Sequence, residues 1–98
     1  MSGAQAKTLG LSARHRRILF RSWHRGMREV DLLLGRFANA EIGSLSESEL
    51  DDYELLLEAV DRDIFSWLTG EADPPSAYDT LVLRKIRDFH SHAGPIHV

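Results

Sequence analysis

Apolar side chains recur through this chain at helical spacing, and nowhere do they alternate. The clearest run lies between residues 27 and 40. There Met27, Val30, Leu34, Phe37 and Ala38 follow the steps i, i+3, i+7, i+10 and i+11, and Leu33 widens the stripe. A half-buried strand needs a period of two instead, and no stretch offers it. Each segment must then bury its apolar face as a helix against other helices. Ninety-eight residues allow one domain with a small core, without room for a deep cavity and a full catalytic shell.

Punctuating residues divide the pattern into five helices. The first spans residues 12–24, with Ser12 as its cap, and Ile18, Leu19 and Trp23 on one face with Leu11 and His15 behind them. Gly26 breaks or bends the path. The second spans residues 27–40, with Glu29 and Asp31 in the first turn, where the helix dipole favours acids, and with Asn39 and Gly43 as exit signals. The third opens on a Ser46-x-x-Glu49 capping box, stapled by Leu45 and Leu50. Leu50, Tyr53, Leu56, Leu57 and Val60 form its apolar face, and Glu47, Asp51, Asp52, Glu54 and Glu58 a solvated one. Asp61 or Asp63 caps a short fourth helix, in which Ile64, Phe65, Trp67 and Leu68 plug the bundle and Gly70 stops it.

Pro74 and Pro75 make a loop of the next stretch. Ser76 with Asp79 is then expected to cap the fifth helix, which carries Tyr78, Leu81, Val82, Ile86 and Phe89 to about residue 90, with Arg84, Lys85 and Arg87 near its C-terminal end. The predicted architecture is all-α, a compact five-helix bundle over residues 12–92, between a flexible N-terminus (1–11) and a C-terminal tail (93–98).

The net charge of −3 hides a segregation. Arg14 to Arg28 holds six arginines and no acid, whereas Glu41 to Asp79 holds twelve acids and one base, Arg62. Such a distribution suits an oriented encounter with a charged partner, or pairing of opposite faces within the bundle.

Few chemistries survive a search of the residues. There is no cysteine, hence no disulfide, thiolate metal site or cysteine nucleophile. The sequence has no His-Glu-x-x-His, phosphate-cradling loop, dinucleotide fingerprint or locally supported Ser/His/Asp set. His90, His92 and His97 straddle a helix end and a tail, so they fix no metal geometry. The arginine-rich first helix, with Phe20 and Trp23, invites nucleic-acid or membrane-surface readings. The acidic net charge and the lack of a reading helix argue against nucleic acid. No apolar run approaches the roughly 18 residues of a membrane span, and the first thirteen residues hold no secretory h-region.

What remains is the stretch Arg25-Gly26-Met27-Arg28-Glu29. A glycine in a helical stretch costs roughly 1 kcal/mol against alanine and usually serves a turn or a close backbone approach. Flanked by cations, it reads as a corner between two helices and a surface for contact. The residues alone fit a plain turn as well, with Gly26 redirecting the chain and Glu29 serving the start of the second helix.

With Val30-Asp31 following, this stretch resembles the Arg-Gly-x-x-Glu motif of the succinate dehydrogenase assembly factor family, which includes bacterial flavinylation factors. Asp63-Ile64-Phe65-Ser66-Trp67-Leu68 is similar to the family's Asp-x-Phe-x-Trp-Leu segment, and Gly94-Pro95-Ile96 to its Gly-Pro-hydrophobic tail. The resemblance covers about residues 14–96. Where many members carry a second arginine before the motif, this chain has His24. The resemblance implies a five-helix fold and a non-enzymatic assembly chaperone. Its partner would be the flavoprotein subunit of succinate dehydrogenase, with fumarate reductase as a further candidate. The factor would promote covalent attachment of FAD to a histidine of that subunit without stably binding FAD itself. It would use Arg25, Gly26, Arg28, Glu29, Asp31 and Arg36 as partner-binding residues, act as a monomer or weak homodimer, and work in a bacterial cytoplasm, or in the mitochondrial matrix if eukaryotic. The alternatives are an antitoxin-like or other regulatory interaction module and, behind it, a small nucleic-acid binder.

Overall fold

A computed structural model describes residues 10–93, with side chains described to residue 91. The Gly94-Pro95-Ile96 tail, His97 and the His92 side chain lie outside the described residues. Among the described residues five α-helices follow in order: α1 (Ala13–Trp23), α2 (Arg28–Glu41), α3 (Glu47–Leu57), α4 (Asp61–Thr69) and α5 (Leu81–Ala93). Short 3-10 turns at Ile42–Ser44 and Ser76–Tyr78 join α2 to α3 and α4 to α5. The fold is all-α, as the periodicity predicts, and no strand occurs among the described residues.

The α2 stripe is the centre of the core. Val30, Leu33, Leu34, Phe37 and Ala38 are all buried, together with Ile18 of α1, Tyr53, Leu56 and Leu57 of α3, Ile64 and Trp67 of α4, and Val82, Leu83 and Ile86 of α5. α2 packs against α1, α4 and α5, and α5 also against α3 and α4. The predicted plug is half realised: Ile64 and Trp67 are buried, while Phe65 and Leu68 pack at its edge. Two features lock α1 onto its neighbours. The Trp23 indole lies flat over Gly35, where any Cβ would overlap its ring, and its Nε1 donates to Asn39 Oδ1 at 3.2 Å. Ser22, fully buried, donates to the Ile18 carbonyl and lies 2.8 Å from the Tyr53 hydroxyl, which also reaches the Leu34 carbonyl at 3.2 Å. Burial pushes the Tyr53 phenol well above its ordinary pKa, so it stays a neutral donor.

The helix starts are partly where capping chemistry predicts them. Ser12 and His15 form a reciprocal box at α1, and Ser46 and Glu49 another at α3. Gly70 ends α4 with φ +81°, in the left-handed region. Four expectations are corrected. Asn39 lies within α2, holding Trp23, rather than ending the helix. The cap of α4 is Val60, because the Asp61 carboxylate is engaged elsewhere. Ser76 opens a 3-10 turn, while the Thr80 hydroxyl accepts from Leu83 N at 3.2 Å and starts α5 there. With that start, Arg84, Lys85 and Arg87 fall in the first half of α5. Lys85 reaches across to the buried Glu49 carboxylate at 2.6 Å.

The segregated charges meet within the chain. Arg14 contacts Glu47, Asp51 and Glu54 at 2.9, 2.6 and 2.8 Å, and Arg21 contacts Glu58 at 2.6 Å. The acidic face of α3 is solvated, as expected, with Glu47, Asp51 and Glu58 exposed, and it is at the same time the counterpart of Arg14 and Arg21.

Candidate functional site

Residues 24–27 form the corner between α1 and α2. α1 stops at His24, whose ring stacks on Phe20 with centroids 3.9 Å apart and whose Nδ1 lies 2.7 Å from the Phe20 carbonyl. α2 starts after Met27, whose backbone is extended and whose side chain makes no cap. Glu29 and Asp31 lie in the first turn, as predicted. Asp31 also serves the turn before it, since its Oδ1 accepts the Arg25 backbone N–H at 2.7 Å. This helix-start carboxylate thus satisfies a donor that the turn would leave bare.

The Arg25 side chain points inward and is only 12% exposed. Its Nε donates to Asp61 Oδ1 at 2.8 Å, Nη1 to the Leu57 carbonyl at 2.7 Å and Nη2 to the Ala59 carbonyl at 2.9 Å. Those carbonyls lie at the C-terminal end of α3 and just beyond it, where helices leave acceptors without partners. One guanidinium therefore ties the corner to α3 and α4 at once. The other Asp61 oxygen, Oδ2, accepts the Gly26 backbone N–H at 2.7 Å. Arg25, Gly26, Asp31 and Asp61 thus form one hydrogen-bonded cluster, although Asp61 is 36 residues from Arg25.

Gly26 itself is exposed. Its φ is not positive, so backbone conformation does not require a glycine there. A Cβ at this position would stand 3.3 Å from Asp61 Oδ2, pressing on the carboxylate that holds its own N–H. Arg28 is exposed and Glu29 half-buried, and neither has a hydrogen-bond or ion-pair partner among the described residues. Arg36 is exposed two turns further along α2. The predicted set therefore divides: Arg25 and Asp31 face into the fold, whereas Gly26, Arg28 and Arg36 are open to solvent. Asp61 reads in sequence as a helix cap, and its part in the corner carries no local signal.

No group of three His, Asp or Glu side chains among the described residues could hold a metal ion. His90 is turned inward, with Nε2 2.6 Å from the Leu33 carbonyl. None of the described helices is long and apolar enough to cross a membrane.

Fold and corner together define a small all-α protein that presents a rigidly held, charged turn at its surface. A family model described as flavinator of succinate dehydrogenase matches residues 16–90. Over 81 residues the chain is 46% identical to succinate dehydrogenase assembly factor 2, mitochondrial, of Dictyostelium discoideum, covering 83% of this chain and 57% of that protein. It is 40% identical over 76 residues to the FAD assembly factor SdhE of Acetobacter pasteurianus, covering 78% of this chain and 70% of that protein. A mitochondrial assembly factor 2 of Meyerozyma guilliermondii is 47% identical over 75 residues, covering 72% of this chain and 56% of that protein. The chain belongs to the flavinator of succinate dehydrogenase family. The matches span little more than half the length of the two mitochondrial relatives.

Proposed function

We propose that this protein is an assembly chaperone that binds the flavoprotein subunit of succinate dehydrogenase and promotes covalent attachment of FAD to it. The single observation that carries the reading is the corner: Gly26 and Arg28 are open to solvent on a turn fastened from behind by Arg25 and Asp61. The corner also lies inside the region matched by the family model. A turn held in this way can meet a partner without first being ordered, which lowers the entropic cost of docking.

In this reading Arg28 supplies a charge-assisted contact to a partner carboxylate or carbonyl, Glu29 offers an acceptor beside it, and Arg36 extends the contact. Arg25 and Asp31 act behind the surface. The bond to FAD forms within the flavoprotein, between the flavin and that subunit's histidine. This chain contributes positioning, which can lower a barrier by several kcal/mol when it aligns reacting groups, and it holds no FAD of its own. It is not an enzyme in this account. It acts where its flavoprotein folds, in a bacterial cytoplasm or a mitochondrial matrix. The pairing of Arg14 and Arg21 with acids of α3 weighs against nucleic acid as the partner, because those arginines are already matched.

Co-purification from the native host tests the reading. The flavoprotein subunit is expected as the dominant partner, and a deletion strain is expected to lose most covalent flavin from that subunit. A different dominant partner together with normal flavin in the deletion strain would point to a regulatory interaction module instead.

A further inference from the structure

We infer that Asp61 is a positioning residue of the corner, whose carboxylate sets how the Gly26 backbone and Arg28 are presented to the partner. The inference rests on the docking role proposed above and assigns it a residue outside the Arg25–Glu29 stretch. Asp61 is the first residue of α4. An acid there is favoured by the helix dipole alone, but that account does not predict what its oxygens do. Oδ1 takes Arg25 Nε at 2.8 Å, and Oδ2 takes Gly26 N–H at 2.7 Å. Asp63, in the same first turn, gives the contrast: it is exposed and has no partner among the described residues. Two acids in one turn have equal claim on the dipole, and only Asp61 reaches back to the corner.

The same geometry gives a reason for glycine at position 26. With φ outside the left-handed region, the constraint is the 3.3 Å between a Cβ and Asp61 Oδ2. A side chain there would push the carboxylate back by a few tenths of an ångström and stretch the hydrogen bond to the residue's own N–H. The requirement thus arises within the chain, between two residues 35 apart. Gly26 and Asp61 should then be energetically coupled, as residues sharing one contact are.

The experiment uses the full-length chain and the purified flavoprotein subunit with FAD. Binding, covalent flavin, melting temperature and amide NMR spectra are compared for wild type, Asp61→Asn, Asp63→Asn, Gly26→Ala, the Asp61→Asn/Gly26→Ala double variant and Arg14→Ala. Asparagine keeps the shape of Asp61 but turns one acceptor into a donor facing Arg25 or Gly26. Binding by Asp61→Asn is expected to weaken about tenfold, the scale of a lost charge-assisted hydrogen bond, while Asp63→Asn binds like wild type. The Gly26 amide signal should move upfield in Asp61→Asn with the helical signals retained, and Gly26→Ala should weaken binding less in the Asp61→Asn background than alone. Wild-type affinity in Asp61→Asn, or a loss no larger than Arg14→Ala gives at the same melting temperature, would overturn the inference while leaving the docking role intact. A wild-type chain that neither binds the subunit nor raises its covalent flavin would overturn both. Should Asp61→Asn fail to fold, Asp61→Glu replaces it: the carboxylate moves out by one methylene, binding should again fall about tenfold, and unchanged binding would overturn the inference.

Discussion

Gly35 shows how one residue can obey tertiary packing against its own helix. A glycine within a helix costs about 1 kcal/mol relative to alanine, so α2 alone would gain from Gly35→Ala. The Trp23 indole occupies the place of that methyl, and overpacking a tight contact costs about 1–3 kcal/mol. A Cβ at Gly35 would overlap the indole ring itself rather than the end of a flexible side chain, which puts the cost at the upper end of that range, so Gly35→Ala is expected to lower unfolding free energy by about 2 kcal/mol net, read as a shift in urea midpoint at unchanged slope. The sequence marks Gly35 only as a helical position, since what lies over it comes from α1. The same limit applies to Asp61. Its local setting fits a helix start, and nothing near it in sequence shows that its oxygens meet Arg25 and Gly26 from across the fold. Arg25 itself looks like a surface cation in sequence, because the two carbonyls that draw it inward belong to residues 57 and 59.

Helix identity is legible in the sequence because apolar spacing and caps act within a few residues. Ser46 and Glu49 close their box within one turn, so the start of α3 can be read without the fold. Ser76 offers the same local chemistry, yet α5 begins four residues later on Thr80. Pro75 and the stacking of Tyr78 on Trp67, with centroids 4.8 Å apart, hold the Ser76 segment as a 3-10 turn. Thr80→Ala is therefore expected to cost about 1 kcal/mol, and Ser76→Ala within about 0.5 kcal/mol of nothing, by chemical denaturation of the two variants side by side. Contacts between elements also set the acid response. Lys85 and then the Ser46 N–H hold the Glu49 carboxyl below its usual 4.5. Burial, opposed by the bond to the Leu33 carbonyl, holds His90 below its usual 6.5, and Arg36 adds to the lowering. Both groups bind protons more readily when unfolded, so each contributes stability that falls on acidification. His90 acts first, as pH drops below about 6.5, and Glu49 follows as pH drops through its depressed pKa below 4.5. Thermal melts across a pH series should show two successive declines, the earlier absent in His90→Gln and the later reduced in Glu49→Gln.

At the scale of the molecule, charge segregation in the sequence has a double meaning that only the fold divides. Arg14 and Arg21 meet the acids of α3 and hold the bundle, whereas Arg28 and Arg36 are exposed on α2. The corner is thus a small exposed patch on a body in which Arg14 and Arg21 of α1 are matched by acids of α3, and in the docking role proposed above it is the working surface. Reconstitution tests this most directly. The flavoprotein subunit, purified without covalent flavin, is incubated with FAD alone, with the wild-type chain, or with Gly26→Leu, then denatured and read by in-gel flavin fluorescence. A corner that docks the flavoprotein predicts a strong rise in covalent flavin with the wild-type chain and little rise with Gly26→Leu, whose circular dichroism remains that of a folded helical protein. Equal fluorescence with folded Gly26→Leu and with wild type would contradict it.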